Sequence, residues 1–148
     1  MTYAAGEALI LTQIQALSSF NTSNSSRGIY SMLNTGAAKS YVILRPGPIV
    51  SNEETGGGGR YTTVWVTFCD LSVKLKDYGE TLIEVENRRE EIINRFRQYT
   101  HANNDSAIEK VAVVSAPDII EVTASSFKYL QQQLRIEWTE VSYVTLQD

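Results

Sequence analysis

Cys69 is the sole cysteine of the chain and His101 the sole histidine, so they form the one thiol–imidazole pair the sequence could assemble. A thiol activated by histidine is a route to a covalent intermediate. Nothing but their presence supports that role here. Cys69 lies within a run of strand-forming residues, where a buried thiol is inert. His101 lies among polar residues just past a helix and reads as a solvated or C-capping side chain. A single histidine leaves no H-E-x-x-H motif. A single cysteine leaves no thiolate zinc site and no internal disulfide within one chain.

Gly56-Gly57-Gly58-Gly59 could suggest a phosphate cradle. A P-loop needs Lys followed by Ser or Thr opening a helix, and here Arg60-Tyr61 opens a strand. The glycines carry a high ordering entropy and read as a mobile loop tip between Ile49 and Arg60. Glu84, Glu86, Glu90 and Glu91 fall mostly on a solvated helix face, whereas paired catalytic carboxylates need converging elements. Glu53 and Glu54 have no further metal ligand beside them. The expectation is a protein with no catalytic residue, cofactor or metal.

The elements around these residues follow from hydrophobic period. Residues 3–20 read as an amphipathic helix, with Tyr3, Ile10, Ile14 and Leu17 at helical spacing and Leu9 and Phe20 widening the stripe. Asn21 to Ser26 reads as loop, with one helical turn expected among Ile29-Tyr30 and Met32-Leu33. Tyr41 to Leu44 is a short strand that Arg45-Pro46-Gly47-Pro48 should stop, because proline cannot donate to a ladder. Residues 61–75 are the longest strand signal, β-branched and aromatic throughout. Its first half is apolar on both faces, with Trp65 on one and Val64, Val66 and Phe68 on the other. A second cover is therefore expected, from this chain or from another subunit.

Thr81 to Tyr99 reads as a helix opened by the capping box Thr81-Leu82-Ile83-Glu84. Leu82, Val85, Ile92, Ile93, Phe96 and Tyr99 form its stripe, and Glu84–Arg88 and Glu91–Arg95 are i,i+4 pairs. Arg89 falls near the centre of that stripe. It either snorkels to water along its stem or pairs with a neighbouring subunit. The helix should stop at Asn103-Asn104. Lys110 to Val114, Ile119 to Val122 and Tyr129 to Val144 complete the strands, the last with Leu134, Ile136 and Trp138 alternating against Arg135 and Glu137. The order α–β–β–α–β–β points to one α+β domain over residues 1–148, with a largely antiparallel sheet, two main helices and a glycine-rich hairpin loop.

The bulk numbers agree with that reading. The 148 residues suit one domain, and 43% hydrophobic with 20% charged residues is ordinary for a globular protein. With 17 acids and 13 bases the net charge is −4, which lacks the basic field of a general nucleic-acid binder. The start, Met1 to Glu7, has no basic n-region, and apolar runs such as Val111 to Val114 are far too short to span a bilayer. A protein made in the cytosol is expected.

Taken together, the layout resembles the tail terminators, or tail completion proteins, of long-tailed bacteriophages. The resemblance covers most of the chain. It rests on the helix of residues 3–20, Tyr41-Val-Ile-Leu44 running into the Pro46/Pro48 loop, and the aromatic strand Val64-Trp-Val-Thr-Phe68. It continues through the helix Leu82 to Tyr99 and the closing strand Gln133-Leu-Arg-Ile-Glu-Trp138. It is one of layout and texture, since that family has no diagnostic short motif. The resemblance implies a structural virion protein forming a homo-hexameric ring. The ring would cap the tail tube, stop its polymerisation and join it to the head–tail connector or stopper. DNA would be cargo passing through the lumen, with no membrane involved. Another neck protein of similar size (an adaptor or stopper) and a small ligand-binding domain are the alternatives. Trp65, Phe68 and Arg89 are then candidates for subunit boundaries. Glu53, Glu54 and Arg60, flanking the glycine run, are candidates for contacts to neighbouring rings.

Overall fold

A computed structural model describes residues 2–54, 56, 58–102 and 108–143, without the side chains of residues 101 and 102. Its spine is a pair of long antiparallel strands, β3 (Arg60–Lys74) and β6 (Phe127–Tyr143). They pair without interruption from Arg60↔Tyr143 to Lys74↔Tyr129. β2 (Ser40–Glu54) lies antiparallel on the other side of β3, and β1 (Ser25–Arg27) adds a short parallel strand to β2. On the far side of β6, β4 (Ile108–Ser115) takes one half of its edge and β5 (Ile120–Ala124) the other. The sheet order is β1-β2-β3-β6-β4, with β5 beside β6. With its two helices this is an α+β fold, as the order of periodicities indicates.

Helices α1 (Tyr3–Gln15) and α2 (Tyr78–Ala102) cover one face. Ile10 and Ile14 of α1 and Val85, Ile92 and Phe96 of α2 pack there against Leu71, Leu134, Ile136 and Trp138. A 3-10 helix (Tyr30–Asn34) covers one end of the opposite face. There Leu33 joins Tyr41, Ile43 and Tyr129 in a second, smaller cluster. Tyr129 donates to the Leu33 carbonyl at 2.6 Å and meets the Tyr41 ring edge-on at 5.8 Å. Burial, reinforced by Tyr41, pushes the Tyr129 phenol up to about 12. This cover lies over the Asp70–Lys74 end of β3, not over the first half of that strand, for which a second cover is expected.

Several boundaries differ from the sequence expectation. α1 ends at Gln15, not at residue 20, and Leu9 faces solvent while Phe20 is buried after the helix. Ser25–Arg27, expected as loop, is a strand, because the Val42 amide donates to the Asn24 carbonyl and draws the segment alongside. Pro46 and Pro48 do not stop β2. The strand runs on to Glu54 with register shifts around Ile49, which leaves a shorter tip than the expected Ile49–Arg60 loop. Prolines are tolerated there because β1 has ended and that side of β2 has no ladder to donate to.

α2 starts at Tyr78, three residues before the expected Thr81. Asp77 accepts from the Glu80 amide at 3.1 Å and so caps the helix. Thr81 is buried instead and donates to the Asp77 carbonyl. Glu84 pairs with Arg88 as expected, at 3.3 Å, but Glu91 also turns to Arg88, at 2.9 Å. Arg95 crosses to Gln13 of α1 instead, at 2.7 Å. The expected stop at Asn103-Asn104, Gly57, Val144 and the side chain of His101 lie outside the described residues.

α1 is held close to the sheet by one glycine. A Cβ on Gly6 would stand 2.2 Å from the Trp138 ring, which no side chain permits without displacement. Trp138 cannot yield easily, being fully buried beneath Tyr3 and beside Trp65. Gly6→Ala should therefore destabilise the protein. Overpacking costs about 1–3 kcal/mol, and the better helix propensity of alanine offsets roughly 1 kcal/mol of it. Urea unfolding should show a lower midpoint with an unchanged slope. A midpoint at or above that of the parent would show that α1 is not in van der Waals contact with Trp138.

Candidate functional site

Of the residues singled out for chemistry, the His101 side chain lies outside the described residues, and the others are spread over the fold. Cys69 is fully buried on the helix-covered face of β3, between Leu44 and Leu134 of the neighbouring strands. Burial, with Asp70 next in the chain, drives its thiol well above the ordinary range, so a thiolate is strongly disfavoured. Among the described residues no group of three His, Cys, Asp or Glu side chains is placed to hold a metal ion. Glu86 and Glu90 are exposed on α2, while Glu84 and Glu91 are engaged by Arg88.

The interface candidates separate in an informative way. Trp65 turns inward. Its ring meets Tyr3 edge-on at 5.2 Å and stacks with Trp138 at 6.0 Å, and its Nε1 donates to Glu140 at 2.9 Å. Its partners lie within its own chain. Phe68 points to the opposite face, half-buried, with the Arg45 guanidinium 4.5 Å over its ring. Arg89 donates to the Gln132 carbonyl oxygen at 2.9 Å, so its head group has a partner within the chain. Gln132 in turn donates to the Pro117 carbonyl at 2.7 Å. It thereby bridges the gap where β4 ends and β5 has not begun. Glu53 and Glu54 are exposed at the far end of β2, and Arg60 opens β3 beside them, 3.9 Å from Glu109.

Two features emerged that periodicity could not have found. On the face away from the helices, Asp70 is almost completely buried. It accepts from Tyr30 at 2.6 Å and from Arg45 at 3.3 Å. Burial, reinforced by Asp70, raises the Tyr30 phenol far above its usual range, so it stays a donor at any ordinary pH. A cleft of about 400 Å³ opens beside this group, lined by Gln131, Gln133, Pro117, Asp118 and Ile120. Asp70 and Asp118 against Arg45 leave it with one more acid than base.

The second feature is the rim of the sheet. Large apolar side chains are left in solvent there: Ile49 and Val50 on β2, Val114 on β4, Ile120 on β5 and Tyr143 at the end of β6, alongside Leu9, Tyr78 and Ile83 on the helices and Ile29 and Tyr30 at the 3-10 helix. The helix-covered face between them is closed. Close approach shapes this rim too. Gly47 lies against Val66, where a Cβ would meet the Val66 side chain at 2.6 Å, so β2 can fold over that valine and seal it.

No family model matches the chain, and no curated protein matches it in sequence. One solved structure aligns over 97% of this chain and 94% of its own length, at 13% identity and a TM-score of 0.41. That likeness is too distant to carry an argument.

Because burial raises the Cys69 pKa, the reactive thiolate is missing at pH 8 in the folded protein. A thiol reagent such as DTNB should leave native protein unmodified over minutes and titrate one thiol per chain in urea. Rapid native reaction at pH 8 would show Cys69 to be accessible and would reopen a nucleophilic role.

Proposed function

We propose that this chain is a structural virion protein of the tail-terminator kind, working as a ring of copies at the end of a phage tail tube. The fold has the element order on which the resemblance rests: a helix, a strand pair with a long hairpin, a second long helix, and closing strands. The observation that carries the assembly part of the reading is the apolar rim. Ile49, Val50, Val114, Ile120 and Tyr143 are exposed at the sheet's margins, while the core between the helices and the sheet is complete without a partner. Burying such side chains against a neighbour is favourable at about 25 cal/mol per Å² of apolar surface. Chemistry is not part of the proposal. Cys69, the one thiol, is buried with its pKa raised, and of the two carboxylates that line the cleft, Asp70 is engaged by Tyr30 and Arg45.

Among the interface candidates, Phe68 with its Arg45 cover, and Glu53, Glu54 and Arg60 at the hairpin, retain exposed surface. Trp65 also keeps partial exposure, with its ring packed on Tyr3 and Trp138. The hairpin end of β2 and β3 would then face the neighbouring rings of the neck.

The test is a reconstruction of the tail end of the virion that carries this gene product. Several copies should form one closed ring between the last ring of the tube and the head connector. A single copy, or absence from the particle, would remove this function. A ring placed on the head side of the connector would favour an adaptor or stopper.

A further inference from the structure

The outer edge of β2 is open over most of its length. β1 pairs only with Val42 to Leu44, and among the described residues no other strand lies against β2 on that side. Beyond Arg45 this edge stands in solvent. Pro46 and Asn52 to Glu54 are exposed, and Ile49 and Val50 are 54% and 49% exposed. The Gly47 amide turns the other way, to the Tyr3 hydroxyl beside Val66 and Thr67 of β3. An open edge of this length is a template for another strand unless something blunts it.

The irregularity of this edge is symmetric about one residue. Pro46 is level with Thr67 of β3, Ile49 with Trp65 and Ser51 with Val64. The three steps from Pro46 to Ile49 thus oppose two steps of β3, and the two steps from Ile49 to Ser51 oppose one. One extra residue lies on each side of Ile49. Arg45 is level with Phe68 and Glu53 with Thr62, three β3 residues to either side of Trp65 and four β2 residues to either side of Ile49. Extra residues put a regular neighbour out of register, which is one way an edge is protected. A second copy of the same edge, turned antiparallel about Ile49, keeps step with it at both bulges.

Charge has the same symmetry. Phe68 and Thr62 are six residues apart on one regular strand, so Arg45 and Glu53 beside them share a face, the one away from the helices. A half-turn about Ile49 sets Arg45 of each copy opposite Glu53 of the other, and opposite charges facing each other across strands are favourable. Arg45 holds Asp70 through its Nε, yet 38% of its side chain remains exposed to meet Glu53. Parallel pairing of the same edge would instead set Glu53 and Glu54 beside their own copies. Ile49 and Val50 lie at the centre of the antiparallel joint, where each copy covers the apolar surface of the other.

We infer that two copies of this chain join by a half-turn about Ile49, residues 46–52 of one β2 edge lying antiparallel against the same residues of the other. The sheet then runs on from one copy into the next, with the helices of both on one face. The contact is isologous, so it makes a pair and stops there. It goes beyond the tail-terminator reading and does not rest on it, since a ring would close through other surfaces.

Two constraints bound the joint. Pro46 and Pro48 offer carbonyls but no amides, so it has fewer ladder bonds than a regular pair. β1 holds the edge at Leu44, so the hairpin of the incoming copy must leave the sheet just beyond Glu53, and bulged strands bend in that way. A stretch this short makes a small contact, of the size that forms reversibly at high concentration.

Cysteine trapping tests the pairing with the full chain. Ile49→Cys places one thiol of each copy at the two-fold axis, where directly opposed Cβ atoms come within about 5 Å, in reach of a disulfide after a small adjustment. Glu53→Cys is the control. Its two copies would lie at opposite ends of the joint, six β3 steps apart, or about 20 Å at strand spacing. Both positions are exposed and Cys69 is buried, so neither variant disturbs the core. Each protein is oxidised at high concentration, alkylated and run without reductant. Ile49→Cys should give a covalent dimer that is lost on reduction, and Glu53→Cys should remain monomeric. Sedimentation of the parent chain should show a reversible monomer–dimer equilibrium. An Ile49→Cys protein that stays monomeric, or a Glu53→Cys protein that links as readily, overturns the pairing. So does a parent chain that stays monomeric at its highest soluble concentration. None of these results touches the virion reading, which the tail-end reconstruction judges separately.

Discussion

The structure depends on the seat of Trp138. This ring is fully buried in the central strand β6, against Trp65 of β3 and beneath Tyr3 of α1. Its Nε1 donates to the Thr67 hydroxyl at 3.0 Å. Thr67 lies 2.7 Å from the Tyr3 hydroxyl, and Tyr3 donates its single proton to the Val66 carbonyl at 3.1 Å. Thr67 must then be the donor to Tyr3, so the bonds run in one direction from indole to backbone. Trp138, Thr67 and Tyr3 thus each have a partner for the proton they donate, as burial demands. Because Gly6 lets α1 descend onto the ring, the helix completes the core over the paired strands. That closure packs the Trp65 ring against its own chain, and apolar surface meets water both at the sheet's rim and at Leu9, Tyr78 and Ile83 of the helices.

The legible parts of the fold were those with a long, unbroken period. α2, β3 and β6 each repeat their pattern over many residues, and their cores follow it: Val85, Ile92 and Phe96, then Leu134, Ile136 and Trp138. β1 was illegible because Ser-Ser-Arg has no apolar alternation. It is placed by hydrogen bonds, with Asn24 donating to the Ser19 carbonyl and Gln15 to the Ser25 hydroxyl. The continuation of β2 past its prolines was hidden because the rule against proline in a sheet applies to a paired edge, and only the fold reveals which edge is free. The start of α2 was misplaced because two capping patterns overlap, and Asp77-Tyr78-Gly79-Glu80 supplies the bond that forms.

The site was legible only in part. A strand apolar on both faces signals a second cover, but cannot say which aromatic that cover takes. Here Trp65 goes inside and Phe68 under Arg45. Arg89 in an apolar stripe reads either as a side chain reaching water along its stem or as a charge with a partner on a neighbouring subunit. Gln132, 43 residues away in sequence, supplies it within the chain. Tyr30, Arg45 and Asp70 were invisible as a group, since each comes from a different segment and none sits at a telling spacing. The rim residues were the hardest to see, because Ile49 or Val114 looks like core until the sheet order puts it at a margin.

Hydrogen exchange at low and high protein concentration bears most directly on the central claim that a self-sufficient core presents its open sheet margin to further copies. β3 has a ladder on both sides, so its amides should be protected equally at both concentrations. The account predicts that added protection at high concentration falls on residues 45–54 of β2, beyond the stretch that β1 covers. Added protection centred on the outer face of α2, with that segment unchanged, would contradict it.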